Sequence, residues 1–263
     1  MKIQQMIDPQ KALLNDIRIA ASIVTDVLLE LKELTKPDVS LDMLDELAER
    51  RIRAAGGIPY NKGYQPKWAV EPYPATICAS VNNEICHAPP RGRTLREGDI
   101  VTYDLGVRYK SGCGDAALTV SVGKIDNRKE RAMRYGLQAL YEGIKVVKAG
   151  VPISAIGKAI DDFSSLRGYK TIVEFGGHHI GKEMHEDPQI PHQYYEENDS
   201  KLLKEGSVIC IEPMITPGKG RMAISAEDKW TAFVVDRQPV VMFEHMILVG
   251  KKNYEVLTKH IYL

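Results

Sequence analysis

Leu95–Asp104 reads LREGDIVTYD, and Leu203–Glu212 reads LKEGSVICIE. The two decamers lie 108 residues apart, share Leu, Glu and Gly, exchange Arg for Lys, answer Ile100/Val101 with Val208/Ile209, and both end on a carboxylate. Gly98 or Gly206 marks a turn, and the alternating residues after it mark a strand that carries the acid at its far end. A carboxylate on an apolar strand needs a partner. Its recurrence points to an internal duplication whose halves share one site.

Outward from the decamers, the same prelude occurs twice. From Asp8 to Leu34, Leu13, Leu14, Ile17, Ala20, Ala21, Val24, Leu28 and Leu31 recur at helical spacing until Lys36-Pro37. Ser40 followed by Asp42 opens a second helix, to about Ala55, where Gly56-Gly57 stops it. In the second half a helix spans about Lys129 to Val147, and Ser154 caps another that ends near Leu166. A helix pair followed by strands, repeated, gives an α+β fold with pseudo-twofold duplication of a helix pair plus antiparallel strands. Residues 1–263 are expected to form a single catalytic domain, with halves of about 1–125 and 126–263.

The composition is that of an ordinary globular chain: 263 residues, 44% hydrophobic and 27% charged. Lys plus Arg equals Asp plus Glu at 35 each, so no net field recruits nucleic acid or anionic membrane. The N-terminus MKIQQMIDPQK lacks the apolar run of a secretory signal, and no stretch approaches the roughly 18 apolar residues of a span. A cytoplasmic protein is expected. Cys78, Cys86, Cys113 and Cys210 show no CxxC spacing and read as reduced core or pocket thiols.

The candidate site residues stand near strand ends. Val101–Arg108 and Cys113–Val122 alternate about a turn near Tyr109-Lys110, a hairpin that sets Asp104 about opposite Asp115. Opposed like charges repel and call for a proton, a basic side chain or a metal ion. Glu212 ends the second decamer, and Glu244-His245 interrupts the apolar strand Val240–Val249. Glycines flank the pair His178-His179 in EFGGHHIG, as a ligand-binding segment needs. Glu84, Glu186 and Asp187 read as solvated polar residues. Together, four strand carboxylates and a glycine-flanked His favour a dinuclear metal site, whose donors suit Mn, Fe, Co or Zn.

Five segments carry a resemblance: VNNEICH at Val81–His87, LREGDIVTYDLGV with Gly114-Asp115, GGHHIG with MHEDPQI, IEPMI at Ile211–Ile215, and FEHMILV at Phe243–Val249. In these the chain resembles the type I methionine aminopeptidases of the pita-bread metallopeptidase fold, over essentially its whole length. The resemblance implies metal ligands at Asp104, Asp115, His178, Glu212 and Glu244, with Asp115 and Glu244 bridging two divalent ions. Asp104 would complete one ion, and His178 with Glu212 the other. It implies catalytic roles for His87, His185 and Glu212, the histidines contacting substrate and the tetrahedral intermediate and Glu212 shuttling the proton. Tyr73, Cys78 and Trp230 would line the pocket for the methionine side chain.

The implied activity is removal of the N-terminal methionine from peptides and nascent proteins, by a monomer that meets the ribosome transiently. The 26 residues between His185 and Glu212 leave no room for the type II insertion. Near the site the chain departs from the family: His179 stands for Gly, Ala116 for Thr, Ala88-Pro89 for Gly-Ile, and Met184 for an aromatic that closes the pocket. Val70 falls at about the place of a pocket Tyr. His179 and Met184 are therefore expected to bear on substrate binding, with His179 crowding the site or adding a donor. A proline-specific exopeptidase of the same fold and a non-catalytic peptide-binding relative are the alternatives.

Overall fold

Asp8 accepts the Gln10 amide (3.0 Å) and Pro9 takes the first turn, so helix α1 runs Pro9–Leu34 with its apolar stripe buried. Residues 8–262 of this computed structural model are described, and the reading of Met1–Ile7 as free of a secretory signal lies outside them. Ser40 caps α2 (Leu41–Ala54), and Asp126 caps α3 (Asn127–Lys145) by accepting the amides of Arg128 and Lys129. Helix α4 spans Ser154–Leu166, but Ser154 is its first helical residue and not its cap, because the Ser154 hydroxyl donates to Asp199.

The strands are antiparallel. Ile100–Tyr109 is the spine of the first sheet, paired with Cys78–Val81 and Gly112–Ser121 along its length and with Ile58–Pro59 at its end. A second sheet has the order 254–256, 245–249, 208–211, 177–179, 186–190. Two three-stranded sheets complete the fold. One joins Val241–Met242, Met214–Thr216 and Lys170–Thr171, and the other joins Met222–Ile224, Ala232–Val234 and Glu84–Cys86, so it mixes the two halves of the chain. The main core fills the space between the helices and these sheets, with Leu28, Leu31, Tyr103, Leu105, Leu140 and Ile247 fully buried.

Two expected strand features are corrected. The hairpin turns at Lys110-Ser111, with Lys110 at φ +49°, and pairs Asp104 with Ala117 and Asp115 with Gly106. The register is thus two residues from the expected one. A shift of two preserves the face, so Asp104 and Asp115 are diagonal neighbours on one side of the sheet. Val240–Val249 is two strands, Val241–Met242 and His245–Val249, in different sheets. The break falls at Phe243-Glu244, where the Glu244 amide meets the Ala117 carbonyl (3.0 Å) and the Tyr262 hydroxyl (2.6 Å). Among the described residues no helix is long and apolar enough to cross a membrane.

Candidate metal centre

The two decamers begin alike: Gly98 and Gly206 both sit in the left-handed region, at φ +89° and +83°, where a side chain would be strained. They end differently. Asp104 is the fifth residue of an unbroken ten-residue strand, whereas Glu212 follows directly after Val208–Ile211, and Pro213 has no amide for the ladder. The partner strand breaks at the matching place, between Met242 and His245, so Glu212 and Glu244 occupy one gap between sheets. Gly177–His179 is hydrogen-bonded to the same sheet and brings His178 to that gap.

The five side chains converge. Asp104, Asp115, His178, Glu212 and Glu244 line one cavity of about 90 Å³. His178 Nε2 lies 3.7 Å from Asp115 Oδ2 and 3.7 Å from Glu212 Oε1. Among the described residues no Lys or Arg lines this cavity. Removal from water pushes the Asp104 carboxyl well above the carboxylate range, and the charge of Asp115 adds to it. Burial raises Glu212 and Glu244 in the same way, each with the neighbouring acids behind it. Buried oxygens of Asp115 (Oδ1) and Glu244 (Oε1) have no hydrogen-bond partner, a costly state in a buried group. Acids that repel one another, lack a basic counterion and leave oxygens unsatisfied fit a multivalent cation, and His178 adds an imidazole.

Cys210 also reaches this cluster. Its sulfur and ligand atoms of Asp115, His178 and Glu244 lie within 4.8 Å of one another. Burial, with Glu244, Asp115 and Glu212 behind it, pushes the thiol well up, so Cys210 is a neutral thiol at neutral pH. The sequence shows it only as a strand cysteine two residues before an acid. His192 carried no signal either. Buried, with burial pushing it down to about 3, it accepts the amides of Gly177 and Glu212 (3.2 Å each) at Nε2 and thereby ties two ligand strands together.

The remaining expected residues divide. Tyr73, Cys78, Met184 and Trp230 line the cavity beside the acids, and His87 and His185 also face it. Trp230 packs edge-on to Tyr73 (5.1 Å between centroids) and Trp68 (5.0 Å). His87 is held at φ +58°, and burial pushes its ring down to about 4, the neighbouring His185 adding to the shift. His185 Nδ1 lies 3.5 Å from the Tyr64 hydroxyl. His179 lies elsewhere: its Nδ1 meets the Pro188 carbonyl at 2.7 Å, and it lines neither this cavity nor the outer cleft that adjoins it. Strand alternation explains the separation, since His178 and its neighbour must face opposite sides. Ala116 is buried in the core, and Val70 is exposed at the edge of a different cavity. Glu84 is not a solvated residue but a largely buried one, ion-paired to Arg91 and Arg93.

Comparison with known proteins adds lineage to this geometry. The chain matches the metallopeptidase family M24 over residues 15–251. It is 36% identical over 243 residues to methionine aminopeptidase 1 of Bacillus subtilis, covering 92% of this chain and 95% of that one. The crystal structure of methionine aminopeptidase from Thermotoga maritima superposes with a TM-score of 0.89 at 32% identity, over 95% of this chain and 97% of that chain. A Xaa-Pro dipeptidase from Bacillus anthracis shares the fold, with a TM-score of 0.72 at 21% identity over 94% of this chain but 61% of its own. With its paired strands breaking at the acids and its identity to these enzymes spread along nearly the whole chain, this protein belongs to metallopeptidase family M24, among the methionine aminopeptidases.

Proposed function

We propose that the chain is a metal-dependent aminopeptidase that removes the initiator methionine from peptides and nascent proteins. One observation carries the reading: the cation-fitting cluster of acids and the apolar group Tyr73, Cys78, Met184 and Trp230 line the same small cavity. A cavity of this kind suits an unbranched thioether side chain beside the bond to be cut.

Asp104, Asp115, His178, Glu212 and Glu244 would hold two divalent ions, and the buried oxygens of Asp115 and Glu244 that lack a hydrogen-bond partner would be among the atoms offered to them. Mn, Fe, Co and Zn all suit these donors. Bound there, such cations supply Lewis acidity that lowers the pKa of water and polarises the scissile carbonyl. The chain does the rest. Glu212 would take a proton from the attacking water and return it to the leaving amine. His185, whose Nδ1 lies 3.5 Å from the Tyr64 hydroxyl, would present a ring N–H to the oxyanion. His87, kept neutral by burial, would hydrogen-bond the substrate amide.

Supporting residues 1–263 as one catalytic domain of halves 1–125 and 126–263 is the origin of the site, with two acids from one half and two acids and the histidine from the other. The proposal includes a cytoplasmic monomer that meets nascent chains transiently at the ribosome; among the described residues no helix is long and apolar enough to cross a membrane. The Xaa-Pro alternative has support from the fold alone. The test is metal-free protein reconstituted with Mn, Fe, Co or Zn and offered Met-Ala-Ser, Met-Val-Ser and Xaa-Pro peptides. Release of free methionine from Met-Ala-Ser is expected. Preference for Xaa-Pro, or no hydrolysis with any metal, would overturn the proposal.

A further inference from the structure

Trp230 separates two spaces. On one side is the 90 Å³ cavity of the acids, and on the other a larger cavity of about 400 Å³, whose lining includes Asp42, Glu71, Pro89, Arg91, Asp228 and Trp230 itself. The outer space is big enough to receive an indole that swung outward. Tyr73 and Trp68 pack edge-on to the ring from beside it, so what keeps this wall from moving outward is the backbone that carries Trp230. That backbone sits beside a strained residue, Lys229 at φ +57°, just before the strand Ala232–Val234.

Asp228 holds this turn. Its Oδ1 accepts the amides of Trp230 and Thr231 (2.9 Å each), and its Oδ2 accepts the Thr231 hydroxyl (2.7 Å). The same Oδ2 receives Arg91 Nη1 at 2.6 Å. Arg91, itself at φ +55°, sends Nη2 to Glu84 Oε1 at 2.8 Å, and Glu84 is braced by Arg93 and by the Val81 amide. The side chains of Glu84 and Asp228 are 14% and 11% exposed, so little water screens the pairs. A planar guanidinium spanning two carboxylates is a fixed strut where a lysine would be a point charge.

We infer that Arg91 is a positioning residue that sets specificity for the N-terminal side chain, by fixing the Asp228 turn so that Trp230 cannot yield into the outer cavity. The inference rests on the aminopeptidase reading. It concerns a residue that lines neither the cavity of Asp104, Asp115, Glu212 and Glu244 nor the group of side chains beside them. Without the strut, the pocket can enlarge to admit branched or bulkier side chains, and the loss falls on discrimination and binding more than on turnover.

The experiment compares the metal-loaded wild-type enzyme with Arg91→Met, Arg91→Lys and Asp228→Asn on Met-Ala-Ser and Leu-Ala-Ser. A second arm measures acrylamide quenching of Trp230 in metal-free protein carrying Trp68→Phe, which leaves Trp230 as the single tryptophan. In Arg91→Met the Met-over-Leu ratio of kcat/KM should fall about tenfold through KM, the scale on which apolar pockets read one methylene. Quenching should rise, with Arg91→Lys in between. Asp228→Asn keeps an acceptor for the turn amides but loses the strut, so it should follow Arg91→Met and stands in for it if that variant does not fold. An unchanged ratio and unchanged quenching would overturn the inference, as would a fall in kcat at a fixed ratio, the mark of general destabilisation. Wild-type enzyme that fails to release methionine would instead overturn the aminopeptidase reading, while the quenching arm still reports on the strut.

Discussion

Asp104 and Glu212 close two copies of one decamer, yet they are held by opposite means. Asp104 belongs to a strand paired on both sides, so ladder hydrogen bonds fix its backbone. Glu212 stands at a break, where Pro213 follows and the partner strand is interrupted at Phe243-Glu244. At the break, side chains do the work of the ladder. His192 accepts the Glu212 amide, and Tyr262 accepts the Glu244 amide while donating to the carbonyls of Ala117 and Glu244. The difference teaches that a duplicated strand can supply a rigid acid in one copy and an acid set between sheets in the other. The second arrangement depends on distant residues and is the more vulnerable to substitution.

Four measurements break or sharpen this contrast. The largest effect belongs to the acids themselves. Asp104→Asn should lower metal-dependent hydrolysis by roughly a thousandfold or more while leaving the unfolding temperature of metal-free protein unchanged or higher, since it removes charge repulsion from a secure strand. Retained activity would refute the role given to Asp104.

Next comes the response to pH and metal. Asp104, Glu212 and Glu244 have folded-state values raised by burial and mutual repulsion. They bind protons more readily folded than unfolded, so their contribution to stability is full below the ordinary carboxylate range and is lost as pH rises through the raised values. Metal-free protein should thus lose stability on going from mildly acidic to neutral pH. A divalent cation at a hundred times its Kd should restore about 2.7 kcal/mol at neutral pH and little in acid. Thermal unfolding with and without chelator checks both, and a chelator effect that grows towards acid would contradict the sign.

The break should be more fragile than the ladder. His192→Phe removes the acceptor of the Gly177 and Glu212 amides, at about 1–3 kcal/mol for each orphaned group, whereas Tyr262→Phe leaves the Glu244 amide its bond to the Ala117 carbonyl and should cost less. His192→Phe should also weaken cation binding about 10- to 100-fold, as loss of a ligand's support commonly does. Calorimetric metal titration would show it, and unaltered affinity would mean that the ligand strands keep their places unaided. Smallest is His179→Gly. Its ring faces the Pro188 carbonyl, so a loss of about 1 kcal/mol in stability is expected with unchanged discrimination among Met-Ala-Ser analogues. A broadened substrate range would return His179 to the pocket.

What the sequence made legible was what is decided locally. The helix cap at Ser40 follows from a side chain that satisfies a nearby amide, and the turns at Gly98 and Gly206 follow from backbone freedom, whereas Ser154, whose hydroxyl goes to Asp199, caps nothing. The hairpin register is not legible in the sequence because alternation fixes the face of a strand but not the turn centre, and a two-residue slip leaves the face intact. The break at Glu244 was hidden because both strand pieces are apolar, so the run reads as continuous. Five acid and histidine positions were legible through resemblance. Cys210, His192 and the Arg91–Asp228 strut were not, since each acts through contacts between separate elements, Arg91 and Asp228 being 137 positions apart.

The sheet that joins Glu84–Cys86 to Ala232–Val234 also sets a schedule for synthesis. A chain leaving the ribosome presents Glu84–Cys86, with His87 just beyond, long before residue 232 exists, and Asp115 waits similarly for Glu244. The acids of the first half are thus made well before the partners that complete the cavity. The cavity is therefore assembled late, once Glu244 has joined acids made long before it.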